Sequence, residues 1–99
     1  MLHIVNKSPM ERNTLSTCLA TAQSGTVLLI EDAVYAATSG HPAAAQLTEA
    51  RQRGLKIAVL IPDLEARGLA DRMAEGISPV DYAGFVDLAA QEPSCQSWL

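Results

Sequence analysis

Thr26-Val27-Leu28-Leu29-Ile30-Glu31 and Leu55-Lys56-Ile57-Ala58-Val59-Leu60-Ile61 decide the fold. No polar residue interrupts the apolar runs Val27 to Ile30 and Ile57 to Ile61. A strand with one wet face alternates polar and apolar residues, whereas a strand covered on both faces of a parallel sheet reads as a continuous apolar run. Helices must therefore lie over both faces of these strands, and the sequence between and around them should supply those helices. Pro62 ends the second strand, since a proline has no N–H to continue a covered ladder.

Working outward, Leu2 to Asn6 reads as another short strand. Ser8-Pro9-Met10-Glu11 carries an N-cap hydroxyl, a proline suited to a first helical position and a capping-box glutamate, so a helix is expected to start at Pro9. Leu15, Cys18, Leu19 and Ala22 recur at spacings of three and four and form its buried stripe, and Ser24-Gly25 closes it. Asp32 is placed to cap an alanine-rich turn through Val34, Tyr35, Ala36 and Ala37. Ser39-Gly40-His41-Pro42 interrupts the chain before a second helix from Ala43 to about Gln52, stopped by Gly54. Asp63 to Glu75 reads as a polar, helical excursion with Gly68 in its middle. Ile77 to Val80 contains Pro79 and reads as an edge strand, Asp81 caps a helix from Tyr82 to Gln91, and the tail from Ser94 has room for one small strand. Strands alternating with helices every 20 to 30 residues or so predict an α/β fold, a small flavodoxin-like three-layer sandwich with a mainly parallel sheet of four to five strands. Ninety-nine residues suffice for a single domain, 1–99.

Composition narrows the function. The net charge is −4 and the seven Lys and Arg residues are scattered, so there is no basic stripe to neutralise phosphates, and direct nucleic-acid binding is not expected. No apolar run approaches the roughly 20 residues that span a bilayer, and the first residues carry no signal-peptide pattern, which predicts a cytoplasmic chain off the membrane. Charged residues make up only 18% of the chain, against about 25% in an average soluble domain, so part of the surface is expected to be an interface.

Candidate chemistry is sparse. The glycines form neither a Walker loop nor a dinucleotide fingerprint, and His3 and His41 share no ligand spacing with the cysteines, so no cofactor and no metal are predicted. His3 reads as a satisfied strand residue and His41 as a solvated loop residue. Glu31 and Asp32 at a strand end have the carboxylates a receiver-like Mg²⁺ site needs, although a helix cap and a strand end account for them more simply. Cys18 and Cys95, 77 positions apart, are expected to be free thiols. With a helix beginning at Pro9, Cys18 would lie about 13 Å from its start, beyond reach of the helix dipole, with no cation at positions three or four away; packing is the physical reading of this residue. Cys95 sits in the tail with nothing to activate it.

Five stretches, in order, are together specific. Met1-Leu2-His3-Ile4-Val5-Asn6-Lys7-Ser8-Pro9, Leu28-Leu29-Ile30-Glu31-Asp32-Ala33-Val34-Tyr35-Ala36-Ala37, Pro62-Asp63-Leu64-Glu65-Ala66-Arg67-Gly68-Leu69, Val80-Asp81-Tyr82-Ala83-Gly84-Phe85-Val86 and Trp98-Leu99 resemble the DsrH/TusB family. The resemblance implies a small α/β subunit of a heterohexamer built with DsrE/TusD-like and DsrF/TusC-like subunits. In such complexes persulfide sulfur passes between protein cysteines toward a DsrC/TusE-like acceptor. It serves 2-thiouridine formation at the tRNA wobble position in the TusBCD branch and sulfur oxidation in the DsrEFH branch. The principal acceptor cysteine belongs to the DsrE/TusD-type subunit, whose motif is not found here, so the resemblance implies an accessory chain. A cysteine in the first helix is a DsrH-branch feature, which tilts the branch toward DsrH and makes Cys18 the candidate sulfur-relay residue; the alternative is a direct sulfurtransferase that accepts persulfide at Cys18.

Overall fold

The computed structural model describes residues 1–98; Leu99, the last residue of the resembling tail, lies outside them. Five strands, β1 (Leu2–Val5), β2 (Thr26–Leu29), β3 (Lys56–Leu60), β4 (Ser78–Val80) and β5 (Cys95–Trp98), form one sheet in the order β4-β3-β2-β1-β5. Every pairing is parallel. As in a flavodoxin sheet the strands are laid down in two directions from the centre, but here the strand that turns back is the last, β5, and not the second.

That reversal distributes the helices. Helices α1 (Thr14–Thr21), α2 (Ala44–Gln52) and α3 (Ile61–Ala66), with a 3-10 segment at Glu31–Ala37, connect strands that advance in one direction, and all pack on one face. Their Leu15, Cys18, Leu19, Val34, Leu47 and Leu64 meet Val5, Val27, Leu29, Ile57 and Val59 of the strands in the larger core. Helix α4 (Tyr82–Gln91) carries the chain back across the sheet and covers the other face alone, with Phe85 and Leu88 against Leu2, Leu28 and Ala58. Adjacent residues of β2 thus point into different cores, which is why the run Thr26–Leu29 is buried throughout.

The buried strands, the tail strand and the Asp81 cap match the sequence reading. The Asp81 carboxylate accepts the Gly84 N–H at 2.7 Å. Asp81→Ala should cost about 1 kcal/mol, read as a shift in the urea midpoint without a change in slope.

Three local expectations are corrected. The first helix starts at Thr14, not Pro9. The Ser8 carbonyl accepts from Glu11 and Arg12 N–H and its hydroxyl from Met10 N–H, so this segment closes into a turn. Residues 10–13 are exposed and have no apolar side chain facing the core, so packing gives the turn no reason to continue as helix. Second, Asp32 caps nothing: the segment begins after Ile30 without a side-chain cap, and Asp32 pairs with Arg67 instead. Third, the excursion after Pro62 is α3 followed by a separate 3-10 turn at Ala70–Arg72, because Gly68 takes φ +68° and ends the helix.

Candidate functional site

The crevice of a parallel sheet lies beyond the carboxyl ends of its strands. At the ends of β2 and β3 that place is tied shut. Arg67 donates from Nε and Nη2 to Asp32 Oδ1 at 3.0 and 2.9 Å and from Nη1 to the Asp63 carbonyl, while the Asp63 carboxylate accepts the Glu31 N–H at 2.6 Å. Glu31 is held at φ +50°, the only non-glycine at positive φ among the described residues. The carboxylates read as a possible receiver-like pair are thus divided: Asp32 neutralises a guanidinium, and Glu31 contributes its backbone. No three His, Cys, Asp or Glu side chains come together as a potential metal cluster among the described residues.

Cys18 is fully buried, at 0% exposure, between α1 and the sheet. Because the helix starts at Thr14, the thiol is little more than one turn from its N-terminus, and the long distance expected from Pro9 does not apply. Desolvation decides its state instead, pushing the thiol up from 9.0 to about 11. A sulfur-transfer nucleophile needs thiolate and access, and this conformation supplies neither. Cys95 is exposed on β5. His41 lies in its loop, where Nδ1 accepts the Ala43 N–H at 3.0 Å.

His3 and Trp98 line one recess together. They lie on adjacent strands, and the indole Nε1–H donates to His3 Nδ1 at 3.1 Å. An indole nitrogen only donates, so the imidazole is neutral, with its proton on Nε2. His3 keeps 5% of its surface exposed, and that surface faces a cavity of about 300 Å³ shared with Gln23, Ser24, Gln96 and Trp98. Burial and, secondarily, the N-terminal ammonium lower the His3 pKa from 6.5, partly opposed by Glu92. The unfolded chain therefore binds the proton first, and the stability His3 contributes is present above pH 6.5 and lost as pH falls below it. Trp98 is the sole tryptophan, so its emission should change in an acid titration with a midpoint below 6.5, and His3→Gln should abolish that step. No spacing rule could have paired residues 95 positions apart.

Helix α4 completes the functional surface. No residue in it is fully buried: Phe85 and Leu88 face the sheet, while Tyr82 and Val86, four residues apart, are 60% and 66% exposed. Asp87 is its one charged residue. A helix apolar around most of its circumference is normally buried on all sides, so the outer stripe of α4 has the character of an interface. No helix among the described residues is long and apolar enough to cross a membrane.

These features define a small three-layer α/β domain with a sealed thiol and an apolar outer helix. A family model described as DsrH-like protein matches residues 7–94. The Escherichia coli O1:K1 protein named TusB is 33% identical over 98 residues, covering 99% of this chain and all of that protein. Its counterpart in Shigella boydii serotype 18 is 32% identical over the same span. The chain belongs to the DsrH/TusB family, which the sequence resemblance ties to sulfur relay. Among solved structures, the ychN protein of Escherichia coli superposes with a TM-score of 0.74 at 14% identity, covering 97% of each chain. MTH1491 of Methanobacterium thermoautotrophicum gives 0.72 at 13%, over 97% of this chain and 96% of that one. At such identities these structures speak for the fold alone.

Proposed function

We propose that this chain is an accessory subunit of a cytoplasmic sulfur-relay complex, a heterohexamer with DsrE/TusD-like and DsrF/TusC-like subunits that delivers sulfur to a DsrC/TusE-like acceptor. In each transfer a thiolate attacks the outer sulfur of a persulfide; the S–S bond breaks, the donor leaves as thiolate and the acceptor becomes the persulfide. The observation that carries the accessory role is the pairing of a buried, protonated Cys18 on one face of the sheet with an outward apolar stripe on α4 on the other: the chain presents surface and withholds its helical thiol. Full-length similarity to proteins named TusB supports the tRNA 2-thiouridine branch. The DsrH feature, Cys18, is accounted for by packing.

Co-expressed with those two subunits, the chain should elute in one complex well above 10.5 kDa. Val86→Glu should weaken that assembly at least tenfold while shifting the chain's own stability by no more than about 0.5 kcal/mol, since Val86 makes little buried contact. A chain that stays monomeric beside both subunits contradicts the reading. Deleting its gene in the host should remove 2-thiouridine from wobble positions; intact thiolation with impaired sulfur oxidation would assign the other branch. Mass spectrometry of the complex after exposure to a persulfidated donor tests the acceptor alternative: Cys18 should gain no sulfur adduct of roughly 32 Da.

A further inference from the structure

The two edges of the sheet are built differently. The Lys56 N–H bonds the Gly25 carbonyl, which turns Lys56, Ala58 and Leu60 toward β2 and Val59 toward β4. With Val59 opposite Pro79, the backbone groups of Ser78 and Val80 face β3, so the outward position of β4 is Pro79, which has no N–H to offer. That edge is blocked. On the opposite edge Leu2 N–H bonds the Ser94 carbonyl at 2.8 Å, and the register Leu2↔Cys95 and Ile4↔Ser97 then turns Gln96 and Trp98 toward β1. The N–H and C=O groups of Cys95 and Ser97 face outward. Neither a charge nor a proline guards them, for β5 reads Cys-Gln-Ser-Trp. The cavity lined by His3, Gln96 and Trp98 opens beside the same edge, and its His3 Nε2–H has no hydrogen-bond partner among the described residues.

The geometry points to β5 as the place where a strand of a partner subunit extends this sheet, with one of its side chains or carbonyls presenting a hydrogen-bond acceptor to His3 Nε2 in the adjoining cavity. This rests on the reading of the chain as a subunit of a complex. An extended segment is the occupant that fits, because two outward donors and two outward acceptors at strand spacing are satisfied by another strand and not by a helix. The recess supplies selectivity through His3: its neutral Nε2–H takes an acceptor-bearing group and not an ammonium or guanidinium, which has donors only.

Amide hydrogen exchange tests this on the free chain and on the complex co-expressed with the DsrE/TusD-like and DsrF/TusC-like subunits. The Cys95 and Ser97 amides should exchange quickly in the free chain and be slowed at least a hundredfold in the complex, whereas Gln96 and Trp98 should be protected in both. Ser97→Pro removes an outward N–H without touching the β1 ladder, and Ser97→Lys places a charge on the edge while keeping that N–H. Both should weaken assembly at least tenfold. A complex that forms with these two amides still exposed, or that tolerates both variants, overturns the inference and leaves the subunit reading standing. Failure to form any complex overturns both. Protection that rises with the concentration of the free chain alone would assign the edge to a second copy and overturn the partner strand.

Discussion

Gly25→Ala is expected to destabilise the protein by about 3 kcal/mol, lowering its melting temperature by roughly 15 °C. Gly25 precedes β2 at φ +97°, and a Cβ there would stand 2.0 Å from the Met1 carbonyl oxygen. The obstacle is backbone, which cannot swing aside as a side chain would. It is also engaged, since the Met1 carbonyl accepts the Thr26 N–H and the Gly25 carbonyl accepts the Lys56 N–H, at 3.2 and 3.0 Å. Relief of the clash must therefore disturb the starts of β1, β2 and β3 together. Gly54 supplies the control: its φ is +101°, yet nothing lies within 4 Å of an added Cβ. Gly54→Ala should show conformational strain alone, about 1 kcal/mol. Paired thermal melts decide the matter, and equal losses in the two variants would refute the steric account.

The second large effect is a division between the thiols. At pH 8 a thiol titrating at about 11 is roughly one part in a thousand thiolate, and Cys18 is in addition closed to solvent. Alkylation of the native chain should consume Cys95 and leave Cys18 at least a hundredfold slower, limited by opening of the α1 packing. Denaturant should erase the difference. Stability should report the same burial: between pH 9 and 11 the unfolded chain gives up a proton that the folded chain retains, so stability falls as pH rises, by up to about 1.4 kcal/mol per unit. Cys18→Ala, at a cost of about 1 kcal/mol near neutrality, should lack that component of the alkaline slope. Rapid labelling of native Cys18 would instead make it accessible enough for relay.

Much of the fold is legible in the chain because its signals are local. Unbroken apolar runs at Val27–Ile30 and Ile57–Ile61 demand cover on two faces, and Asp81 before an apolar helix fixes a cap through its own side chain three residues on. The failures at Ser8 and Asp32 have different causes. Ser8 does accept a capping bond from the Met10 N–H, but residues 10–13 bury nothing that would extend the turn into a helix; the Asp32 carboxylate, by contrast, is claimed by the Arg67 guanidinium. Capping preference is worth about 1 kcal/mol, which competing partners readily match.

The candidate site divides along the same line. The scarcity of charge and of catalytic motifs, and the family itself, are properties of composition and residue order, and these the amino-acid sequence determines unaided. That Cys18 is sealed, that His3 meets Trp98, that Arg67 reaches Asp32 and that β5 offers a bare edge while Pro79 blocks the other are decided by the tertiary structure. Strand order and burial bring together residues as many as 95 positions apart, and the desolvation and pairing that set a thiol's ionisation or an edge's vacancy exist only once those distant segments have packed.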